Sequence, residues 1–206
     1  MDGVLVDSMP YHAEAWKQAF AAAGISIERR DIYEIEGSNH KQIVELIFRR
    51  FGRVPIDKDV KELSSKKIEI FNRIEQVRPF DGIKELLDRL APEYSLAVVS
   101  GSNHNTVHDL MNTFFPGAFQ VIIDGDDVKK SKPDPEPYLL AVEKLGVAKE
   151  ECIVIENAPL GIRSARSAGL RCIAIPAYLG RESVKEADVI VDSHRELLKA
   201  IQRKNV

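Results

Sequence analysis

The chain has 206 residues, 44% of them apolar and 30% charged, with a net charge of −3. That is enough for one ordinary soluble domain, or a large domain with a small insertion, and it excludes a basic field for nucleic acid because Lys and Arg are scattered. The longest apolar runs fall far short of a membrane span, and the first residues lack the basic and apolar regions of a signal peptide. Cys152 and Cys172 each open an apolar run, which reads as buried free thiols in a reduced, cytoplasmic protein, and no CxxC or Cys/His metal spacing exists.

The chain opens Met1-Asp2-Gly3-Val4-Leu5-Val6-Asp7-Ser8, an acid before a glycine, a short apolar run, then a second acid. Residues 9–24 carry His12, Ala15, Trp16, Ala19, Phe20 and Ala23 at helical spacing, with Gly24 suited to the C-terminal cap. Ile43, Val44, Ile47, Phe48 and Phe51 mark a second helix ending at Gly52, and a third follows Pro55 with Val60, Leu63, Ile70, Phe71 and Ile74 on one face. No strand signal appears between residues 9 and 77. That block is expected to be helical throughout.

The texture changes at Arg78-Pro79-Phe80-Asp81-Gly82. Short apolar runs at 95–99, 119–123, 152–155, 172–175 and 189–191 then alternate with amphipathic stretches near 82–90, 104–115, 135–145, 159–168 and 193–203. The last of these opens on Ser193 with Glu196 three residues later, the pattern of a capping box. Such alternation predicts an α/β fold, a doubly wound parallel sheet covered on both faces. The domain expectation is an α/β core formed by residues 1–8 and 79–206, interrupted by an all-helical insertion at 9–78. Two short hinges, near Ser8–Pro10 and Val77–Phe80, would join them.

Ligands in such sheets bind beyond the carboxyl ends of the strands, so the polar residues there carry the most weight. Four ends stand out: the Asp2-Gly3 turn, Ser100-Gly101-Ser102-Asn103, Lys130-Ser131-Lys132-Pro133-Asp134-Pro135, and Glu156-Asn157-Ala158-Pro159-Leu160-Gly161. A hydroxyl followed by glycine at a helix entry can offer Oγ and backbone N–H groups to a phosphate, and Ser102 or Asn103 can equally be a plain helix cap. Lys132 sits on a proline-stiffened loop, either solvated or aimed in a fixed direction.

Together and in this order, these stretches resemble the four motifs of the haloacid dehalogenase superfamily, in the subfamily of β-phosphoglucomutase and phosphoglycolate phosphatase with its helical cap inserted after the first motif. The resemblance implies a Mg2+-dependent phosphatase acting on a small phosphorylated metabolite, a sugar phosphate or phosphoglycolate, through an aspartyl-phosphate. Asp2 matches the general acid/base, Ser100 the hydroxyl that binds the phosphoryl group, and Lys132 the lysine that stabilises its charge. Asp2, Glu156 and Asn157 match the Mg2+ site, with Asn157 standing where many relatives carry Asp. The family's nucleophile falls one position before Met1, so the expectation is of a chain preceded by an apolar strand ending in Asp. Without that strand two inner sheet edges would be exposed and the chain would be inactive. Asp7 lies too far along the turn to replace the nucleophile and reads as structural.

In the insertion, Lys67 shares a stripe with Val60, Leu63, Ile70 and Ile74; it either snorkels to the surface or points into the cleft toward an anionic substrate. His12 on its apolar face is either a packing residue or, as in β-phosphoglucomutase, a site residue. The loop Glu36-Gly37-Ser38-Asn39-His40-Lys41 resembles the family's specificity loop. The substrate-binding candidates are therefore His12, His40, Lys41, Lys67, Gly101, Ser102 and Asn103. A mutase holds a second phosphate with an arginine in that loop and a lysine after the second-motif serine, where this chain has His40 and Asn103. That favours a phosphatase over a phosphohexomutase. A non-catalytic phospho-ligand binder is the alternative of another class. No nucleic-acid or membrane partner is expected, and the enzyme is expected to be a monomer.

Overall fold

The protein is described by a computed structural model over residues 1–202. Four helices follow the opening turn: α1 (Met9–Ala22), α2 (Arg29–Tyr33), α3 (His40–Arg50) and α4 (Asp57–Ile74). No strand interrupts them among the described residues. Their shared interior is Trp16, Phe20, Ile43, Val44, Ile47, Phe48, Leu63 and Phe71, the residues whose helical spacing put them on one face. The five-residue α2 has too little periodicity to be read from sequence; its first N–H groups are satisfied by Glu28 and Asp31.

From Pro79 onward helices and strands alternate: α5 (Ile83–Leu90), β1 (Ala97–Val99), α6 (His104–Phe114), β2 (Val121–Ile123), α7 (Glu136–Leu145), β3 (Ile153–Glu156), α8 (Pro159–Ser167), β4 (Arg171–Ala174), β5 (Val189–Ile190) and α9 (His194–Gln202). β1–β2, β3–β4 and β4–β5 all pair in parallel, as near-continuous apolar runs lead one to expect. The helix expected to reach residue 203 is described to Gln202, and the rest lies outside the described residues. At its start the Glu196 carboxylate accepts from the N–H of Asp192 rather than of Ser193, so the expected capping box is displaced by one residue.

The single sheet expected from the alternation is divided. β1 pairs with β2, and β4 is flanked by β3 and β5; β1 and β3 are each the end strand of their own sheet. Between them runs an apolar cavity of about 440 Å³ lined by Val4, Leu5, Val98, Val99, Ile153, Ile155 and Leu197, among others. Two inner edges thus face each other across a space with apolar walls. Cys172 is buried as expected, whereas Cys152, at the start of its run, is only half-buried and donates to Ala148 O at 3.3 Å. No described helix is long and apolar enough to cross a membrane.

The opening turn is where the helical block meets the α/β part. Met1 O accepts from the N–H groups of Val4, Leu5 and Val6, and Gly3 takes φ +70°, a backbone conformation that costs a residue with a Cβ. The two chain crossings lie side by side: Asp7 N–H donates to Arg78 O at 2.9 Å and Phe80 N–H to Leu5 O at 3.1 Å. Asp7 itself accepts from the Tyr178 hydroxyl at 2.5 Å, and the Tyr178 ring stacks on Tyr33 of the helical block. That is a structural contact at the hinge.

Candidate active site

The opening turn, the three loops beyond β1, β2 and β3, and the segment before α3 converge on one small cavity of about 60 Å³. Its walls include Asp2, His12, Glu36, Ser38, His40, Lys67, Ser100, Gly101, Ser102, Lys132, Glu156 and Asn157. Residues separated by more than 150 positions therefore share one space.

Asp2 is the hub on one side. Its Oδ1 accepts from the Ser8 hydroxyl and lies 3.2 Å from His12 Nε2, and its Oδ2 is 3.3 Å from Ser100 Oγ and 3.4 Å from Ser102 Oγ. Lys67 reaches this group from α4: it is 1% exposed, and its Nζ donates to His12 Nδ1 at 2.8 Å. Because Nδ1 accepts from the ammonium, the imidazole proton sits on Nε2 and points at Asp2. Burial, then the Lys67 charge, lower the His12 pKa, so the positive charge of this relay is on the lysine. Burial works against the Asp2 carboxylate too, but His12 and Ser8 outweigh it and keep Asp2 well below the usual carboxylate range. Burial pulls Lys67 itself down to about 8, with Asp2 and Glu75 pulling the other way. The surface-seeking alternative for Lys67 does not hold.

Glu156 is the hub on the other side. Lys132, 4% exposed, donates to its Oε1 at 2.7 Å, and the buried Tyr138 hydroxyl donates to the same oxygen at 2.6 Å. Oε2 accepts from the N–H groups of Asn157 at 3.0 Å and Ala158 at 3.4 Å. Burial raises the Glu156 pKa, but Lys132 and Tyr138 more than offset this and the net direction is down. With four donors on two oxygens, Glu156 serves as a mount for Lys132 and for the Asn157 loop, beside its expected place in the metal site. Nor is Lys132 solvated: it lies over the Tyr138 ring and also donates to Val99 O at 3.1 Å.

Two other expected residues fall outside. Lys41 is exposed and lines a different surface depression, because the next position along α3 after His40 turns about 100° away from the cavity. Asn103 caps α6, its Oδ1 accepting from Thr106 N–H at 3.1 Å, and does not line the cavity. His40 does line it, edge-on to Trp16, with burial and then Lys67 and His12 holding its pKa well below the usual histidine range. Gly101 lets the two halves meet: a Cβ there would stand 2.5 Å from Gly37 O.

Three further groups were not singled out individually from sequence, two of them, Glu36 and Ser38, within the loop that resembles the family's specificity loop. Glu36 reaches over from the helical block to accept from Asn157 Nδ2 at 2.8 Å; burial, Asp2 and Glu156 push its pKa well up against the Asn157 bond. Ser38 Oγ is buried without a partner at the cavity wall. Tyr138, spaced like an ordinary core residue of α7, is the third. A buried orphan hydroxyl beside a gly-rich turn has no periodic signature, so only packing reveals it.

The donor set fits a hard divalent cation. Asn157 and Glu36 supply oxygens beside the Asp2 turn, and the raised Glu36 pKa marks a carboxylate lacking an adequate counter-charge. The mount itself makes a testable demand on α8. A Cβ at Gly161 would lie 2.0 Å from Glu156 Oε1. In an open helix Gly→Ala would gain roughly 1 kcal/mol. Gly161→Ala is instead expected to lose about 2 kcal/mol or more, since the methyl and a hydrogen-bonded carboxylate cannot both fit. Urea unfolding measures the sign, and a stabilised variant would remove Glu156 from this role.

Residues 1–175 match the haloacid dehalogenase-like hydrolase family. The chain belongs to that family. It is 29% identical over 201 residues to validoxylamine A 7′-phosphate phosphatase of Streptomyces hygroscopicus subsp. limoneus, covering 96% of this chain and 92% of that protein. It is 28% identical over 200 residues to hexitol phosphatase A of Escherichia coli, covering 96% and 90%. Among solved structures, a candidate β-phosphoglucomutase from Bacteroides vulgatus superposes with a TM-score of 0.91 at 35% identity, covering 97% of this chain and 84% of that one. The family's parallel-sheet hydrolase fold is thus the fold of this chain, with the sheet in two pieces.

Proposed function

We propose that this haloacid dehalogenase-like phosphoric monoester hydrolase is a Mg2+-dependent phosphatase of a small phosphorylated carbohydrate. The observation that carries the reading is the convergence on Asp2 of Ser100 and Ser102 from the α/β part and of His12 and Lys67 from the helical block. The relatives named above as phosphatases act, by their names, on validoxylamine A 7′-phosphate and on a hexitol phosphate.

Asp2 holds and moves the proton. It gives it to the leaving sugar oxygen and takes one from water in the second half-reaction, aimed by Ser8 and His12. A phosphate dianion beside the carboxylate raises its proton affinity from the low resting value, the direction a general acid needs. Ser100 and Ser102 orient the phosphoryl oxygens, and Lys132 balances charge gathering there. The family pattern sets the attacking carboxylate immediately before Met1. Asp2, Glu156 and Asn157 would hold the cation, with Glu36 beside Asn157, and the cation would supply charge neutralisation at the phosphoryl oxygens when bound. With about 60 Å³ free, the cavity cannot admit a sugar phosphate as it stands. The helical block must swing out on its paired crossings and close again over the substrate, excluding water.

Mutase chemistry is the second reading, favoured by the likeness to the B. vulgatus protein. It requires a grip on a second phosphate, and here Asn103 caps α6 and lies off the cavity while His40 is held neutral. With the attacking aspartate supplied ahead of Met1, incubation with hexose 1-phosphate, hexose 6-phosphate and hexitol phosphate should release inorganic phosphate. Isomer without phosphate would establish the mutase, and metal-dependent binding with neither product would establish a binder.

Lys67 gives a further test. Its folded pKa of about 8 lies below its ordinary 10.5, so the unfolded chain holds more protons than the folded one between those values. Stability from this group therefore rises with pH across that window. Lys67→Met should melt higher than the parent at pH 7, and the advantage should shrink toward pH 10. The same variant should lose more activity on a sugar phosphate than on a small generic ester, because Lys67 grips the non-reacting part. Equal losses on both would argue against that grip.

A further inference from the structure

On the far side of the Ser100–Asn103 loop from the cavity, three side chains from two elements converge. His104 and His108 are one turn apart at the start of α6, and their rings lie 4.1 Å apart. Asp124 follows directly on β2 and is 1% exposed. Its Oδ2 is 2.7 Å from His104 Nδ1 and 3.7 Å from His108 Nε2, and the three ligand atoms all lie within 4.8 Å of one another. We propose that His104, His108 and Asp124 form a second metal site, separate from the phosphoryl site and selective for a borderline divalent transition ion such as Zn2+ or Co2+.

The carboxylate is held in a way a ligand needs. Asp124 Oδ1 accepts from Asp126 N–H at 2.9 Å, the Asp124 N–H donates to Asp127 at 3.0 Å, and Asp126 accepts from His104 N–H at 3.0 Å. The surrounding turn thereby orients the ligands, as outer partners do around bound metals. Tetrahedral zinc, with bonds of about 2.0–2.2 Å to N and O, asks its ligand atoms to stand roughly 3.3 Å apart. The observed spacings bracket that value. His104, 61% exposed on its side chain, can turn to meet it. A hydrogen bond alone accounts for one imidazole on Asp124; the second converges on the same oxygen at a distance too long for one. Two imidazoles and a carboxylate select against Mg2+, which prefers oxygen ligands in an octahedron. Water or a ligand would complete the shell on the open side.

The ion would bear on the phosphoryl site without touching substrate. Gly125 N–H donates to Ser102 O at 2.8 Å, and a Cβ at Gly125 would stand 2.5 Å from Gly101 O. A metal joining Asp124 to the head of α6 therefore clamps both ends of the loop that carries Ser100 and Ser102.

The test uses the full chain in buffer freed of transition metals at pH 7.5, with saturating Mg2+ to occupy the oxygen-rich site, titrated with Co2+. One equivalent should bind with the intense visible absorption of a low-coordinate ion, and Zn2+ should displace it. His104→Ala and His108→Ala, on side chains 61% and 35% exposed, should each weaken binding at least tenfold, and the double variant should abolish it, with an unchanged circular dichroism spectrum. Slowed amide exchange at Ser102 and Asn103 in the metal-bound parent is the second readout. Co2+ binding that the double variant retains, or a parent with no such band, overturns the site. Neither outcome depends on phosphatase activity, so failure here and failure of the proposed function are distinguishable.

Discussion

Joining an apolar strand of about five residues that ends in aspartate to Met1 is expected to give a stable, active phosphatase. The stability half of the expectation rests on the divided sheet. β1 and β3 each present an unpaired edge to a cavity of about 440 Å³ walled by Val98, Val99, Ile153 and Ile155. A parallel strand between them would satisfy both rows of backbone donors and acceptors. Each buried Val, Ile or Leu contributes about 1.5–3 kcal/mol, against about 1–2 kcal/mol per residue for ordering the backbone. A net gain of a few kcal/mol corresponds to a rise in Tm on the order of 10 °C for a chain of this size. The activity half rests on Asp2, since a carboxylate two residues before it would enter the space ringed by Asp2, Ser100, Lys132 and Asn157. The same extension ending in Asn should give the thermal gain without turnover. Calorimetry and phosphate release on the two extended chains separate the halves. An Asp-ended chain no more stable than the parent would refute the reading of the cavity as a strand position.

Lys132→Ala has the next largest expected effect, and it is on folding as well as chemistry. Lys132 and Glu156 are both buried and 2.7 Å apart, so removal of the lysine leaves a carboxylate with only Tyr138 and two amides around it. Breaking such a pair from one side costs about 3–5 kcal/mol. In the parent the Glu156 pKa is depressed, so its contribution is present above the ordinary carboxylate range and is lost as pH falls through the folded value. In the variant burial is opposed by Tyr138 without the lysine, and the pKa shifts upward. The loss should therefore be greatest near pH 7 and shrink toward pH 4, where protonation neutralises the buried group. Lys132→Ala combined with Glu156→Gln should recover part of the stability but none of the turnover. If urea unfolding of Lys132→Ala matches the parent at pH 7, the pair is not a mount.

Much of the architecture was legible in the residues themselves. Helical spacing of Trp16, Phe20, Ile43, Phe48, Leu63 and Phe71 located the helical block, and apolar runs at 95–99, 119–123, 152–155 and 172–175 located the strands, because burial of one face or of both dictates those periods. The motif residues Asp2, Ser100 and Lys132 could be found for a related reason: glycine and proline beside them mark strand-to-helix turns, and such turns meet at one end of a parallel sheet.

Tertiary structure decided the rest. Lys67 sits on an apolar stripe whether it snorkels or turns inward, and only the docking of α4 on α1 put its ammonium on His12. Lys41 and Asn103 carry the right chemistry in the right loops, yet one points off the wrong side of α3 and the other caps α6 off the cavity. Glu156 has the composition of a metal ligand, and only the fold shows that Tyr138 and Lys132, 18 and 24 residues away in the chain, donate to it as well. His104, His108 and Asp124 join a helix to a strand end 16 or more residues away. The period of a pattern tells which face of an element is buried; which polar atoms meet on that face depends on partners distant in the chain, and no local signal records them.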